Sequence, residues 1–363
     1  MELKLVEKWG WRGYDWGQLL PLTLEWILIK TVRIVSIIMS TKKKVLKKAK
    51  LSKSNDAQKN KKLSVKAPFG YFGAKLRIAS QIVNSLPPHN AWVEAFCGSA
   101  ALTLAKKPAP IEIINDLDDE VVNLFTQLRD NHNKLCKAIA LTPYSREEFN
   151  KARYSEWPKD PLERARKFLI STMMTVNGTY GKSSSGFSFT DSYTRGDKEA
   201  RVSRWYNLPE RLSNVIERLR NIRIEKKDAR ELIEMYSDRP ATLIYLDPPY
   251  FIKRDHKYVI DAQDETFHQE LLEKCLNAKC MILLSGYDNK LYNDMLVKNR
   301  GWTKEKIKTT TCDTTGIDYE RTEILWKNPL FIKARNNNRV PIRLSEKEKK
   351  TKKINPRRMC KKK

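Results

Sequence analysis

Short apolar runs and amphipathic stretches follow one another along the chain from Pro68 onward. An apolar run bounded by turn residues indicates a buried strand, and apolar positions three or four residues apart indicate a helix. The first part of this pattern predicts helices over 74–86, 98–107 and 117–130, and strands over 91–96 and 111–116. Strands that alternate with helices in this way predict parallel βαβ units.

The alternation stops at residue 131 and resumes at residue 208. Residues 131–207 are polar, with clusters of Gly, Ser and Tyr and one good helical pattern in "PLERARKFLISTMM". After them the pattern predicts helices over 208–220, 229–236 and 265–278, and strands over 221–227, 241–247, 279–288 and 321–328. We therefore predict one α/β domain, formed by residues 67–130 and 208–330 and interrupted by an inserted module over 131–207.

The two ends of the predicted domain are flanked by strongly basic segments. Residues 40–66 hold eleven Lys and one acid, and residues 330–363 hold fourteen Lys and Arg and two Glu, so most of the net charge of +27 lies there. Lysine-rich runs resist folding and are attracted to polyanions such as nucleic acid. We predict a disordered basic linker over 40–66 and a disordered basic tail over 331–363; a purely solubilising role is the alternative.

Residues 1–39 form an apolar, Trp-rich extension. Glu25, Lys30 and Arg33 interrupt its apolar stretch, whereas a membrane-spanning helix needs about 20 residues with almost no charge. The basic start and small-residue cleavage site of a signal peptide are also missing. We expect no membrane association. Met39, followed by "STKKK", is an alternative start that would make residues 1–38 an appendage.

The six Cys and four His are scattered, without the paired spacing of a zinc site. This usage is typical of a reduced, cytoplasmic protein without a structural metal.

The stretch "VEAFCGSAA" (93–101) reads as a strand, a tight Gly turn and the start of a helix. A turn without a side chain at Gly98 lets backbone N–H groups approach a ligand closely. Asp116 ends the next strand eighteen residues later, where nucleoside-binding α/β folds place an acid that accepts hydrogen bonds from ribose. Asp116 could also cap the helix that follows it.

The segment "PFGYFGAK" (68–75) precedes the first predicted helix. It is either a loop packed by aromatic side chains with a solvated lysine, or an aromatic wall that places Tyr71 and Lys75 beside a ligand.

The stretch "ATLIYLDPPYF" (241–251) ends a buried strand in an acid and two prolines. Pro248 and Pro249 fix the backbone, and Pro248 keeps a carbonyl but has no N–H. The Asp247 carboxylate and the Pro248 carbonyl would form a rigid pair of acceptors, which suits an amino group with two hydrogens. Tyr250 adds a flat face for a planar ring. The pattern indicates an exocyclic amine of adenine or cytosine as the target; the plain alternative is a Pro-rich turn.

With these motifs in this order, the chain resembles the DNA adenine methyltransferase family in its α-group arrangement. The resemblance covers residues 67–328 and includes "PFGYFGAK", "VEAFCGSAA", "IIND", "LDPPY", "LLSGYD" and "RTEILWKN". It implies a Rossmann-like class I methyltransferase sheet, mostly parallel with a late antiparallel strand, and a target-recognition role for the inserted module.

The resemblance also implies roles for individual residues, with S-adenosylmethionine as methyl donor and no metal. It assigns the cofactor to Tyr71, Lys75, Glu94, Gly98, Asp116, Asp228 and Asp247, and catalysis to Asp247, Pro248, Pro249 and Tyr250. In the inserted module Asn177 matches the family's recognition loop, but the Arg and Asn expected further on are replaced. We expect DNA contacts from Asn177, Lys182, Arg195 and Arg201, with Lys198 and Arg204 as further candidates.

The implied function is site-specific transfer of a methyl group to the N6 amine of adenine in double-stranded DNA. Alternatives are an RNA adenine methyltransferase, a DNA N4-cytosine methyltransferase, for which Ser would be more usual than Asp247, and an inactive basic DNA-binding protein. The expected setting is the cytoplasm, with the DNA, as a monomer or weak dimer, and a cognate restriction endonuclease is a candidate partner.

Overall fold

The computed structural model describes residues 65–341 except 72, 177, 179, 181–185, 190–193, 195–196, 252–263, 299 and 313–317. The predictions for residues 1–39 and for 40–64 fall outside this range. The described residues all belong to one compact unit.

A seven-stranded sheet with the order β3-β2-β1-β4-β5-β7-β6 forms the centre of this unit. Its strands are β1 (Ala91–Glu94), β2 (Ile111–Asn115), β3 (Ile222–Glu225), β4 (Thr242–Leu246), β5 (Met281–Gly286), β6 (Thr303–Cys312) and β7 (Asp318–Lys327). The first five are parallel to one another, whereas β7 is antiparallel to both β5 and β6. The predicted α/β class, the mostly parallel sheet and the late antiparallel strand are confirmed.

The central strands are buried on both faces of the sheet. All residues of β1, β4 and β5 are buried. Val93 and Ile244 pack in one apolar cluster, whereas their neighbours Trp92 and Leu243 pack in another. Because side chains alternate between faces along a strand, this division indicates helices on both sides of the sheet and explains why these strands read as continuous apolar runs.

Helices connect the strands, and several begin at a side-chain cap. Asp118, Ser145, Asp160, Asp228, Asp264, Asn289 and Asn328 each accept a hydrogen bond from a backbone N–H of the first turn. The described helices are Ala79–Ser85, Ala101–Ala105, Asp119–Asp130, His132–Ala140, Arg146–Tyr154, Pro161–Met173, Ala200–Tyr206, Leu208–Leu219, Ala229–Tyr236, Glu265–Asn277, Lys290–Tyr292, which continues as the π-helical turn Asn293–Val297, and Pro329–Asn337.

Two predicted boundaries are wrong. The helix predicted from residue 74 begins at Ala79, because the residues before it form turns that bring the Lys75 side chain to Asp247. The disordered tail predicted from residue 331 is wrong at its start, since helix Pro329–Asn337 docks on the sheet and Phe331 is fully buried. Residues 342–363 lie outside the described residues.

The inserted module is helical, as its one periodic segment suggested, but it is not a separate body. Its residues Leu135, Phe149 and Phe168 are buried in one apolar cluster with Ile114 of β2 and Val121 of the following helix. The insertion therefore shares a core with one side of the sheet, and this packing fixes its position relative to the strand ends.

Among the described residues, no helix has the length and apolar character needed to cross a bilayer.

Candidate active site

The carboxyl ends of three neighbouring strands lie side by side, since Glu94 at the end of β1 is paired with Ile114 of β2 and Tyr245 of β4. Ligands of open α/β sheets bind at this edge. A cleft that opens to solvent lies there. We call it the acidic cleft, because four carboxylates line it together with Lys75: Glu94, Asp116, Asp118 and Asp247.

A tight turn after β1 forms one wall of the acidic cleft. Gly98 has a φ of +45°, and a Cβ atom at this position would lie 2.8 Å from Cδ1 of Tyr71. The Tyr71 ring thus packs directly against the bare backbone of the turn. Ala100 also has a positive φ, of 52°. That conformation favours Gly and costs an Ala roughly 1–2 kcal/mol, so the turn holds some strain.

Asp116 and Asp118 line the acidic cleft beside this turn and have different partners. The Asp116 carboxylate accepts hydrogen bonds from the backbone N–H groups of Gly98, at 2.8 Å, and of Asp118, at 3.0 Å. Burial raises the pKa of Asp116 to about 6, although these two backbone donors oppose the rise. Asp118 caps the helix that follows, so the alternative of a cap fits Asp118 rather than Asp116.

Asp118 also links the cleft to the inserted module. Its carboxylate accepts hydrogen bonds from the hydroxyl groups of Tyr71, at 3.1 Å, and of Tyr180 in the inserted module. Close by, Gly178 of the module has a φ of +68°, and a Cβ there would lie 2.6 Å from the Gly70 carbonyl oxygen. The module therefore contacts the 68–75 segment backbone to backbone.

Glu94 is a buried carboxylate at the floor of the acidic cleft. It accepts hydrogen bonds from the Thr103 N–H, at 2.9 Å, and from the Thr103 hydroxyl. Burial raises its pKa to about 7, against the opposing effect of these hydrogen bonds. Glu94 is therefore held in place by the helix that follows the Gly98 turn.

Asp247 lies at the mouth of the acidic cleft and is held by three side chains. Its Oδ2 accepts a hydrogen bond from the Lys75 ammonium at 2.6 Å. Its Oδ1 accepts a hydrogen bond from the Ser285 hydroxyl at 2.7 Å, and the oxygen of the Tyr250 hydroxyl lies 3.2 Å from the same atom. Ser285 is bonded in turn to the Tyr245 hydroxyl at 2.8 Å. The carboxylate is thus fixed by groups from two strands and from the 68–75 segment.

A second carboxylate, Glu323 of β7, lies beside Asp247. It is 4% exposed, accepts a hydrogen bond from the Tyr250 hydroxyl and lies 3.8 Å from the Lys75 nitrogen. Burial raises its pKa to about 7; Lys75 lowers this pKa and Asp247 raises it. The Tyr250 ring has the Lys75 ammonium 4.9 Å from its centroid and makes an edge contact with Tyr287 at 4.7 Å.

A second cleft is lined by Arg201, Arg204 and Arg211. We call it the arginine cleft. All three side chains are partly buried. Burial lowers the pKa of Arg204, and the positive charges of Arg211 and Arg201 lower it further. Arg211 donates to the Ala67 carbonyl at 3.1 Å. Within the described residues, no ion pair joins any of the three to a carboxylate.

Most of the predicted cofactor residues therefore converge, and some predicted residues do not. The acidic cleft includes Tyr71, Lys75, Glu94, Gly98, Asp116, Asp247 and Pro249. Asp228 is not among its lining residues, because its carboxylate caps helix Ala229–Tyr236 and forms an ion pair with Arg230 at 2.7 Å. The predictions for Asn177, Lys182 and Arg195 lie outside the described residues.

Four residues that line these clefts or hold Asp247 and its partners were not singled out from the sequence: Asp118, Ser285, Arg211 and Glu323. The signal for Glu323 was available, because it is an acid within the apolar strand pattern "TEILW". Ser285 likewise interrupts the apolar run of β5. Nothing in the local pattern distinguishes Asp118 from its neighbouring acids, or Arg211 from the other bases of its amphipathic helix.

The strand order, the antiparallel β7 between β5 and β6, and an acid followed by two prolines at the end of β4 define a Rossmann-like methyltransferase. Comparison with known proteins identifies the group. A sequence model of the D12 class N6 adenine-specific DNA methyltransferases matches residues 71–311. The chain belongs to this family, whose reaction is the methylation of adenine in DNA. Adenine in DNA is thereby favoured over the RNA and N4-cytosine alternatives.

A curated relative agrees with this result. The chain is similar to the Type II methyltransferase M1.LlaDCHI of Lactococcus lactis subsp. cremoris, with 26% identity over 209 residues that make up 54% of this chain and 69% of the relative.

Proposed function

We propose that the acidic cleft binds S-adenosylmethionine and that Asp247 holds the adenine amine at its mouth. The observation that carries this proposal is the fixed Asp247 carboxylate, which follows β4 directly and borders the cleft. When bound, S-adenosylmethionine supplies an electrophilic methyl group on a sulfonium.

The residues present fit such a ligand in charge and in hydrogen bonding. The donor carries an ammonium group and a sulfonium, and four carboxylates line the cleft against the one lysine described there. The Ser99 hydroxyl lines the same cleft, is buried, and has no hydrogen-bond partner among the described residues. Such groups are normally satisfied, so Ser99 is suited to a polar group of a ligand.

The walls of the cleft suggest how the donor is oriented. Asp116 follows β2 and uses two backbone donors, which leaves lone pairs of its carboxylate for ribose hydroxyls. Tyr71 offers an aromatic wall that is held upright by Asp118 and by contact with Gly98. These contacts would orient the methyl group toward Asp247.

At the mouth of the cleft, Asp247 would accept a hydrogen bond from the adenine amine, with the Pro248 carbonyl as second acceptor. This grip draws the nitrogen toward tetrahedral geometry and stabilises the positive charge that develops on it. Holding the amine in contact with the methyl group supplies the rest of the rate enhancement. Ser285 and Tyr245 are positioning residues, because they fix the Asp247 carboxylate without reaching the amine.

The target base must leave the DNA duplex to reach this position, at a cost of a few kcal/mol. Tyr250 is the residue that would stack on the extruded base. The Lys75 ammonium lies close to the Tyr250 ring and donates a hydrogen bond to Asp247. The incoming amine therefore either shares the Asp247 carboxylate with Lys75, since each carboxylate oxygen has two lone pairs, or displaces Lys75.

Phosphate contacts are best supported at the arginine cleft. Three partly buried guanidinium groups without a carboxylate partner in the described residues form a site for anions, and guanidinium groups bind phosphate in a bidentate manner. Arg201 and Arg204 would thus contact the DNA backbone together with Arg211. The inserted module would select the sequence, and the similarity to a Type II methyltransferase supports a role beside a cognate restriction endonuclease.

The test is to express the full chain in a bacterial host without DNA methylation and to map modified bases by single-molecule sequencing. We expect N6-methyladenine at one short recurring sequence. The matched control is Asp247→Asn, which keeps the shape of the side chain and should leave the DNA unmodified. Modified cytosine, or unmodified DNA with methylated RNA, would contradict the proposal.

A second measurement tests the donor separately. Binding to the folded state raises thermal stability in proportion to the logarithm of ligand concentration. We expect S-adenosylmethionine to raise the melting temperature of both the wild-type chain and Asp247→Asn. The absence of any shift would reject the cofactor assignment.

A further inference from the structure

The side chain of Glu323 is outside every role assigned above, although it lies beside Asp247 and shares Tyr250 and Lys75 with it. It belongs to β7, beyond the residues matched by the family's sequence model. Directly opposite it in β6 is Ile307, which is apolar and cannot partner it. Burying a carboxylate costs free energy, so a buried carboxylate normally has a hydrogen-bond or ion-pair partner or a functional role.

Within the described part of the chain, the hydrogen-bond and ion-pair partners of Glu323 are also partners of Asp247. The Tyr250 hydroxyl donates to Glu323 and lies 3.2 Å from Asp247 Oδ1. The Lys75 ammonium lies 3.8 Å from Glu323 and 2.6 Å from Asp247 Oδ2. Two carboxylates are therefore bridged by one hydroxyl and by one cation.

The reaction releases a proton that this bridge can carry. As the new bond between N6 and the methyl carbon forms, the bond between the methyl carbon and sulfur breaks. The N6 atom then bears a positive charge and must lose one of its two hydrogens. Asp247, which holds that hydrogen, is the first acceptor, and a protonated Asp247 cannot grip the next substrate in the same way.

We infer that Glu323 restores Asp247 by accepting this proton through the hydroxyl of Tyr250. Protonated Asp247 donates its hydrogen to the Tyr250 oxygen, while the Tyr250 hydroxyl hydrogen passes to Glu323. Asp247 is again a carboxylate, Tyr250 is again a neutral phenol, and Glu323 is a neutral acid that later loses its proton to water. No other reactant is needed. This inference rests on the function proposed above for Asp247.

The surroundings of Glu323 suit a group that gains and loses a proton near neutral pH. Burial raises its pKa to about 7, so it can take a proton from Asp247 and return it to solvent. The charged and titratable groups that face it are Lys75 from the 68–75 segment and Asp247 and Tyr250 after β4. Glu94 is a further acid of the same cleft with a pKa of about 7, so the test must separate the two.

The experiment measures multiple-turnover methyl transfer from tritiated S-adenosylmethionine, with donor and DNA in excess over enzyme, to sheared DNA from a methylation-free bacterial strain between pH 5.5 and 9. For the wild type we expect the rate to rise with pH and to level off above about pH 7, as Glu323 becomes ionised. Glu323→Gln should lower the rate at pH 8 by roughly 100-fold and abolish the rise. Glu323→Asp should restore part of the rate and the rise.

Two further variants complete the test. Tyr250→Phe keeps the ring and removes the bridging hydroxyl, so it should reproduce the loss, and the double variant Glu323→Gln, Tyr250→Phe should be no slower than either single variant. Glu320→Gln, an exposed acid in the same strand, is the matched control and should behave as the wild type.

Several outcomes would overturn the inference. A Glu323→Gln variant that keeps the pH-dependent rise, even at a lower overall rate, makes Glu323 a structural residue. If the fold decreases in rate of the two single variants multiply in the double variant, Glu323 and Tyr250 act independently of each other. If Glu323→Gln does not fold, Tyr250→Phe decides alone, and an unchanged pH profile rejects the bridge. A wild-type chain that transfers no methyl group would instead reject the proposed function.

Discussion

The acidic cleft and the arginine cleft are lined by different residues of the same segment, residues 65–76, and share Ala101 in their linings. In the acidic cleft nearly every charged group has a partner, and Lys75 joins Asp247 to Glu323. In the arginine cleft three cations have no carboxylate partner among the described residues. A satisfied network fixes the geometry that chemistry needs, whereas unsatisfied cations attract an anion from outside.

Among the charged groups of the two clefts, we expect Asp247 to give the largest effect when it is replaced. We expect Asp247→Ala to lower methyl transfer by roughly 1,000-fold, because the acceptor that stabilises charge on the amine is lost. Tritium transfer to DNA measures this effect, and calorimetric binding of S-adenosylmethionine checks that the cleft remains intact. Asp288→Ala, another acid near a strand end that forms an ion pair with Lys304 on the surface, is the control and should stay active. Near-normal transfer by Asp247→Ala would remove Asp247 from the chemistry.

Much of the acidic cleft was predictable, because each of its motifs is a local departure from an apolar pattern. Asp247 ends an apolar run and is followed by two prolines, and Gly98 follows a short apolar run. Both patterns indicate the end of a strand. Parallel topology then brings these ends together. The prediction failed for β6, since its "TKEKIKTTTC" segment is polar and lysine-rich and is paired only through β7.

The arginine cleft could not be predicted as a site for a different reason. Arg204 and Arg211 lie on two consecutive helices and converge only after these helices pack beside Ala67. Asp228 shows the opposite case, a residue predicted from its spacing that does not line the acidic cleft. Its position after a strand matches the family pattern, but a neighbouring Arg230 and a helix N-terminus engage its carboxylate. Side-chain partners of this kind are set by packing and not by spacing along the chain.

The acidic cleft should also make stability depend on pH. Glu94 has a pKa of about 7 in the folded protein against 4.5 as its ordinary value. A raised pKa stabilises the fold at low pH, and this contribution is lost as pH rises from about 4.5 through 7, by as much as about 3 kcal/mol. Relative to wild type, Glu94→Gln should therefore gain stability between pH 5 and pH 8 in urea denaturation.

The matched control for this measurement is Glu217→Gln. Glu217 is an exposed acid on helix Leu208–Leu219, and its substitution should change the unfolding free energy by the same amount at pH 5 and at pH 8. If the wild-type and Glu94→Gln stabilities stay parallel from pH 5 to pH 8, burial of Glu94 does not govern this window.

The Gly98 turn can be tested with two substitutions of opposite kind. Gly98→Ala places a Cβ against Tyr71 and forces an Ala into a φ of +45°, so we expect a loss of about 1–2 kcal/mol in unfolding free energy and weaker donor binding. Ala100→Gly relieves the same kind of strain but removes a buried methyl group, worth about 0.8 kcal/mol. It should be nearly neutral. Equal losses in the two variants would mean that φ is not the determining factor.

The smallest expected effect concerns the arginine cleft and is best seen in the salt dependence of DNA binding. Each phosphate contact that is lost should reduce the slope of log K against log salt by about 0.9. We expect Arg204→Gln and Arg211→Gln each to flatten the slope by about this amount, with unchanged turnover at saturating DNA. Arg220→Gln is the control, because Arg220 is 65% exposed on the helix that carries Arg211 and forms an ion pair with Glu217.

The salt slope separates the two clefts because it counts released counterions and not contacts of the base. If the slope in Arg204→Gln and Arg211→Gln equals the slope in Arg220→Gln, the arginine cleft does not bind the phosphates of DNA. Its guanidinium groups then contribute to the packing of the 65–76 segment instead. If the slope falls while turnover at saturating DNA persists, the arginine cleft binds phosphate and the acidic cleft carries out the amine chemistry, in agreement with their opposite charges.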